Sequence, residues 1–90
     1  MANTLGLLEE AMQLARDLGY RVREEALGDL PGGMCVVAGA KQILLNADLS
    51  AADRLASLLE VLVADPAVAN EPISRPLEAR LRNARGGAGD

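Results

Sequence analysis

The stretch SAADRLASLLEVLVA, residues 50–64, constrains the fold more than any other part of the chain. Ser50 with Asp53 three residues later is a helix-start pattern, in which the serine hydroxyl accepts from an early backbone N–H. Asp65-Pro66 ends the helix after Ala64, because a residue before proline avoids the helical region. Between these limits Asp53, Ser57 and Glu60 share one narrow stripe, and Leu55, Leu58, Leu59, Val61, Leu62 and Val63 fill the rest. A helix apolar over so wide an arc needs cover on more than one side. A sheet can supply one side. A first helix, the C-terminal segment or a second subunit must supply the other.

Half of the 90 residues are hydrophobic, yet Tyr20 is the only aromatic. Such a core is built from many small aliphatic contacts without the large area that rings bury. The length allows a single domain, taken as 1–85, with a disordered tail at 86–90. A small aliphatic core often completes its burial with a second copy of itself, so a homodimer is expected.

Three other segments have clear periods. Residues 4–18 place Leu5, Leu8, Met12 and Ala15 at helical steps, with Asn3 or Thr4 as cap and Gly19 as the stop. In YRVREEAL (20–27), Tyr20, Val22 and Ala26 alternate with Arg21, Arg23 and Glu25, a strand with one wet face; Glu24 falls on the apolar side. After the turn-rich GDLPGG, residues 34–38 and 42–46 read as a hairpin joined by Gly39-Ala40-Lys41. Ile73, Leu77, Leu81 and Ala84 then give a short helix capped by Ser74, with Pro76 in its first turn. The expected fold is α+β: helix, three-stranded antiparallel sheet with a hairpin at 34–46, helix, short C-terminal helix, the helices on one face of the sheet.

The chain has no histidine, which removes Ser-His-Asp and Cys-His arrangements and any His-containing zinc site. Cys35 then reads as a small hydrophobe in a strand, a residue type often found buried, with its exposure left open by the sequence. The glycines at 28, 32, 33 and 39 join strands and match no phosphate loop. Glu9-Glu10 and Glu24-Glu25 diverge in direction and match no calcium loop, so solvated faces are the reading for both. No catalytic, cofactor or metal residue is assigned, and the expectation is a non-enzymatic chain without cofactor.

Net charge is −4, yet residues 72–85 carry Arg75, Arg80, Arg82 and Arg85 against Glu78 alone. Without aromatics among them these arginines have no platform for base stacking, and pairing with the acidic body or a dimer mate is favoured. The start MANT lacks a basic segment and no apolar run reaches membrane-span length, so a cytoplasmic location is expected, with no membrane contact.

Two resemblances accompany these readings. NADLSAADRLASLLEVLV (46–63) resembles the strand-to-helix passage of ImmA/IrrE-type zinc peptidases, with Arg54 and Glu60 at that family's arginine and general-base positions. Leu59 and Val63 stand where its zinc-binding histidines would be, so the resemblance implies a metal-free relative. LGYRVREEALG (18–28), GGMC (32–35), ILLNADL (43–49) and RLASLLEVL (54–62) together resemble a group of short uncharacterised bacterial proteins, a likeness that carries no activity.

The functional expectation is a small protein-interaction or dimerisation module, with Leu58, Leu62, Arg75, Arg80, Arg82 and Arg85 as the candidate surface. A nucleic-acid-associated accessory protein using the C-terminal arginines is the alternative. An enzyme assembled from carboxylates, arginines and Cys35 would need a pocket with convergent polar groups.

Overall fold

A computed structural model of the chain describes residues 3–30 and 32–86. Its elements run α1 (Thr4–Asp17), β1 (Arg21–Glu25), β2 (Gly33–Val37), β3 (Ala40–Asn46), α2 (Ala51–Val63), a 3-10 segment (Pro66–Asn70) and α3 (Arg75–Gly86). This is an α+β domain. Of the tail expected at 86–90, Gly86 closes α3 and residues 87–90 lie outside the described residues.

The helix ends follow local chemistry. Asn3 caps α1, its Oδ1 accepting the Gly6 N–H at 2.6 Å, and Gly19 leaves the helix with φ +96°. Ser50 Oγ accepts the Asp53 N–H at 3.1 Å, and Ser74 Oγ accepts the Leu77 N–H at 3.2 Å. Each cap satisfies a donor that the first helical turn leaves without a partner. Ser74 also ties α3 to α1: its N–H and hydroxyl both donate to the Glu10 carboxylate, at 2.8 and 2.6 Å.

α2 is the centre of the packing. Leu55, Leu58 and Leu62 are 0% exposed, enclosed by β2 and β3 on one side and by α1, α3 and the 3-10 segment on the others. The second cover that the wide apolar arc demands therefore comes from the chain's own helices. This corrects the expectation for Leu58 and Leu62, which are core residues and offer no surface to a partner. At roughly 1.5–3 kcal/mol for each large aliphatic side chain buried, α2 supplies a large share of the driving force for folding.

The sheet is mixed, with strand order β1-β3-β2, which corrects the antiparallel sheet expected. The hairpin is present, and β3 returns beside β2 antiparallel, but it then inserts between β2 and β1 and pairs with β1 in parallel. The hairpin turn is the two residues Ala38-Gly39, one position earlier and shorter than expected, with φ +52° and +81°. Both angles suit the primed turn that matches strand twist. Ala38 holds its angle at a cost of roughly 1–2 kcal/mol, as any L-residue with a Cβ does there.

Because β3 is central, the chain between β1 and β2 must cross the C-terminal end of β3. Asn46, 1% exposed, holds that crossing. Its Oδ1 accepts the N–H groups of Leu27 and Asp48 at 3.0 and 2.9 Å. Its Nδ2 donates to the carbonyls of Gly28 and Leu30 at 2.9 and 2.8 Å. Asp48 adds a carboxylate bond to the Gly28 N–H at 2.9 Å. Just beyond, Gly32 passes so close to β3 that a Cβ there would lie 2.1 Å from the Leu44 carbonyl oxygen. Asn46→Ala strands donors and acceptors that are part-buried, and should lower stability by roughly 2–4 kcal/mol. Chemical denaturation measures this directly; a loss below ~0.5 kcal/mol, the scatter of ordinary surface changes, would show that the crossing does not depend on Asn46.

Candidate functional site

Among the described residues β2 is an edge strand with one side unpaired. Val37 and Ala40 flank the two-residue turn, and hairpin geometry makes such a flanking pair hydrogen-bonded. Pairs then alternate along the ladder. Val37, Cys35 and Gly33 turn their backbone groups toward β3, and Met34 and Val36 turn theirs outward. The strand is also apolar where it faces water: Met34 is 48% exposed, Val36 62% and Val37 52%, with Leu30 nearby in sequence at 65%. Natural edges usually carry charge, proline, a bulge or a covering element. Gly-Met-Cys-Val-Val carries no charge and no proline.

Beside Met34 lies a shallow cleft of about 280 Å³ lined by Tyr20, Lys41, Val61, Asp65 and Pro66. That volume falls just under the usual small-molecule range and suits a single side chain. Tyr20 is 7% exposed, and its hydroxyl donates to Asp65 Oδ2 at 2.8 Å. Asp65 Oδ1 accepts the Ala67 N–H at 2.9 Å, capping the 3-10 segment. Lys41 Nζ stands 5.0 Å from the centre of the Tyr20 ring, within cation–π range. Burial pushes the Tyr20 phenol up from its usual 10.0, and the hydrogen bond to Asp65 and its charge push the same way. The Ala67 N–H draws the Asp65 carboxyl below 3.8, helped by the Tyr20 hydrogen bond and Lys41 and opposed by burial. These groups satisfy one another.

The residues singled out in the sequence are scattered. Cys35 lies in a strand, as read, and is exposed: an edge strand keeps apolar composition without gaining cover. Glu24, the residue on the apolar side of its strand, meets Arg54 of α2 at 2.5 Å. Arg54 is thereby committed to β1, while Glu60 is exposed, so the two positions of the zinc-peptidase resemblance are not brought together. Leu59 is buried in the core and Val63 packs against it. Among the described residues no group of His, Cys, Asp and Glu is placed to hold a metal, and no helix is long and apolar enough to cross a membrane. On α3, Arg75, Arg82 and Arg85 are exposed and Arg80 is half-buried. Arg82 pairs with Glu78 of its own helix at 3.1 Å. That local pair, and no other ion pair of these arginines among the described residues, stands where pairing with the acidic body was expected.

Neither a protein-family model nor a curated protein nor a solved structure matches the chain.

The Tyr20–Asp65 bond has a pH signature. A raised phenol stabilises the fold below pH 10 and loses that contribution as pH rises through the folded value; a lowered carboxyl stabilises above about pH 4 and loses it as pH falls. Tyr20 is the only aromatic residue, so its phenolate absorbance is read without interference. Its midpoint should lie above 10.0, and Asp65→Asn should bring it part of the way back, since burial remains. A midpoint unmoved by Asp65→Asn would remove the bond from the account.

Proposed function

We propose that this chain is a small non-enzymatic protein-interaction module of the cytoplasm, and that its working surface is the outer edge of β2. The observation that carries the reading is an uncharged strand, Gly33–Val37, with exposed apolar side chains at an unpaired sheet edge. An extended segment laid along it gains main-chain hydrogen bonds from Met34 and Val36, and takes its specificity from whichever side chain enters the cleft beside Met34. A reducing cytoplasm would keep the exposed Cys35 thiol free. The surface differs from the one read in the sequence, because Leu58 and Leu62 belong to the core.

The exposed arginines of α3 support a second reading, contact with nucleic acid through Arg75 and Arg85. Phosphate contacts make affinity fall steeply with salt. The net charge of −4 weighs against it.

One experiment separates the two. The full chain, Val36→Lys, and Arg75→Ala/Arg85→Ala are used as baits in source-cell extract, with and without nuclease. The docking reading expects a stoichiometric protein held by the full chain and the arginine variant and lost with Val36→Lys. Retention unaffected by Val36→Lys would reject it, and retention of nucleic acid lost with the arginine variant would install the second reading in its place.

A further inference from the structure

We infer that the strand received by β2 is β2 of a second copy of this chain, antiparallel to the first about a two-fold axis at Cys35. The inference rests on the reading of β2 as a docking edge and names the occupant.

The register is self-complementary. On the open side of β2 the outward backbone groups belong to Met34 and Val36, two residues apart with Cys35 between them. An axis at Cys35 sets Met34 of each copy opposite Val36 of the other, and each such pair exchanges both N–H···O bonds. Cys35 then faces its counterpart at a non-hydrogen-bonded position, because its own backbone groups are engaged with β3. Moving the axis by one residue, onto Met34 or Val36, keeps outward groups opposite outward ones but sets Val36 against Gly32, or Met34 against Ala38, which lie outside β2, and so shortens the ladder.

The side chains agree with that register. Cross-strand neighbours share a face, so Val36 of each copy lies beside Met34 of the other, at the rim of the cleft that Met34 lines. Exposed side chains that are 48% and 62% accessible in the single chain gain cover together. No charge lies on the strand, so no like charges oppose one another. Lys41 lies on that face, paired with Val36 on β3. It is at least three strand spacings, roughly 14 Å, from the other copy's Lys41, beyond the ~8 Å screening length at physiological salt. A foreign strand would need the same uncharged, apolar alternation to do as well; the chain's own β2 has it.

A five-residue edge is a small contact, so the dimer should be weak, with dissociation in the micromolar range. Sedimentation equilibrium of the full chain, from low micromolar to several hundred micromolar, should show a concentration-dependent monomer–dimer equilibrium. Val36→Lys, at a position exposed in the single chain, should keep the fold by circular dichroism and weaken the dimer by tenfold or more. The Cys35 pair provides a second readout. At about 4.5 Å between Cα atoms, a non-hydrogen-bonded pair is within disulfide reach. Added diamide accepts two electrons and two protons from the two thiols, leaving one Cys35–Cys35 disulfide, and Val36→Lys at the same concentration should form little. A chain monomeric throughout overturns the inference, as does a dimer indifferent to Val36→Lys or one that yields no Cys35 disulfide. A monomer that still holds extract protein through β2 overturns it while leaving the docking reading in place.

Discussion

The four hydrogen bonds of the Asn46 side chain carry the topology of this domain. A three-stranded sheet whose last strand is central requires the link between the outer two to pass over that strand's end. A crossing segment carries backbone N–H and C=O groups that neither sheet nor helix satisfies, and at a buried site each would cost free energy comparable to a lost hydrogen bond. One amide side chain, with two acceptor sites and two donors, answers three of them at once, the Leu27 N–H and the Gly28 and Leu30 carbonyls, and takes the Asp48 N–H beyond β3 as its fourth partner. Only one orientation of the amide gives this fit, with its oxygen toward the two N–H groups and its nitrogen toward the two carbonyls. The close passage of Gly32 over Leu44 is the steric half of the same device.

That crossing explains where the exposed strand comes from. Had β2 stayed between its sequence neighbours, as in a simple meander, its apolar residues would have been internal. Inserting β3 gives the central position to Ile43 and Leu45, both 0% exposed, and sends Met34 and Val36 to the edge. At the same time α2 is closed over by α1, α3 and the 3-10 segment, so its apolar arc is used up inside the molecule. The fold thus moves unsatisfied apolar surface from a helix to a strand edge. An edge offers a partner something a helix face does not: backbone donors and acceptors in fixed alternation.

Local features of the fold were legible in the sequence because local chemistry sets them. Asn3, Ser50 and Ser74 act as caps, Gly19 ends α1, and the glycine at 39 sits in a hairpin turn. The parallel pairing of β1 with β3 was not legible. Alternation tells which residues share a face, and says nothing about which strands are neighbours. The exposure of Cys35 was not legible for the same reason, since GMCVV has the composition of a buried strand and only the strand order exposes it. Leu58 and Leu62 were read as spare surface because nothing in the helix pattern states how many neighbours will cover it. Asn46 was missed, although an Asn and an Asp two apart at a strand end, N-A-D at 46–48, is a recognisable source of side-chain-to-backbone bonds. Tyr20 and Asp65 are 45 residues apart in sequence, and no short-range pattern joins them.

The central claim is that the outward N–H groups of β2 are engaged when the chain is concentrated. Residue-resolved amide hydrogen exchange, run at low and high protein concentration, tests it most directly. Cys35 and Val37, which face β3, should be protected at both. Met34 and Val36 should exchange freely in dilute solution and become protected as concentration rises through the dimer range. If Met34 and Val36 exchange like unstructured amides at every concentration while Cys35 and Val37 remain protected, β2 is an unoccupied edge and the account of its partner is wrong.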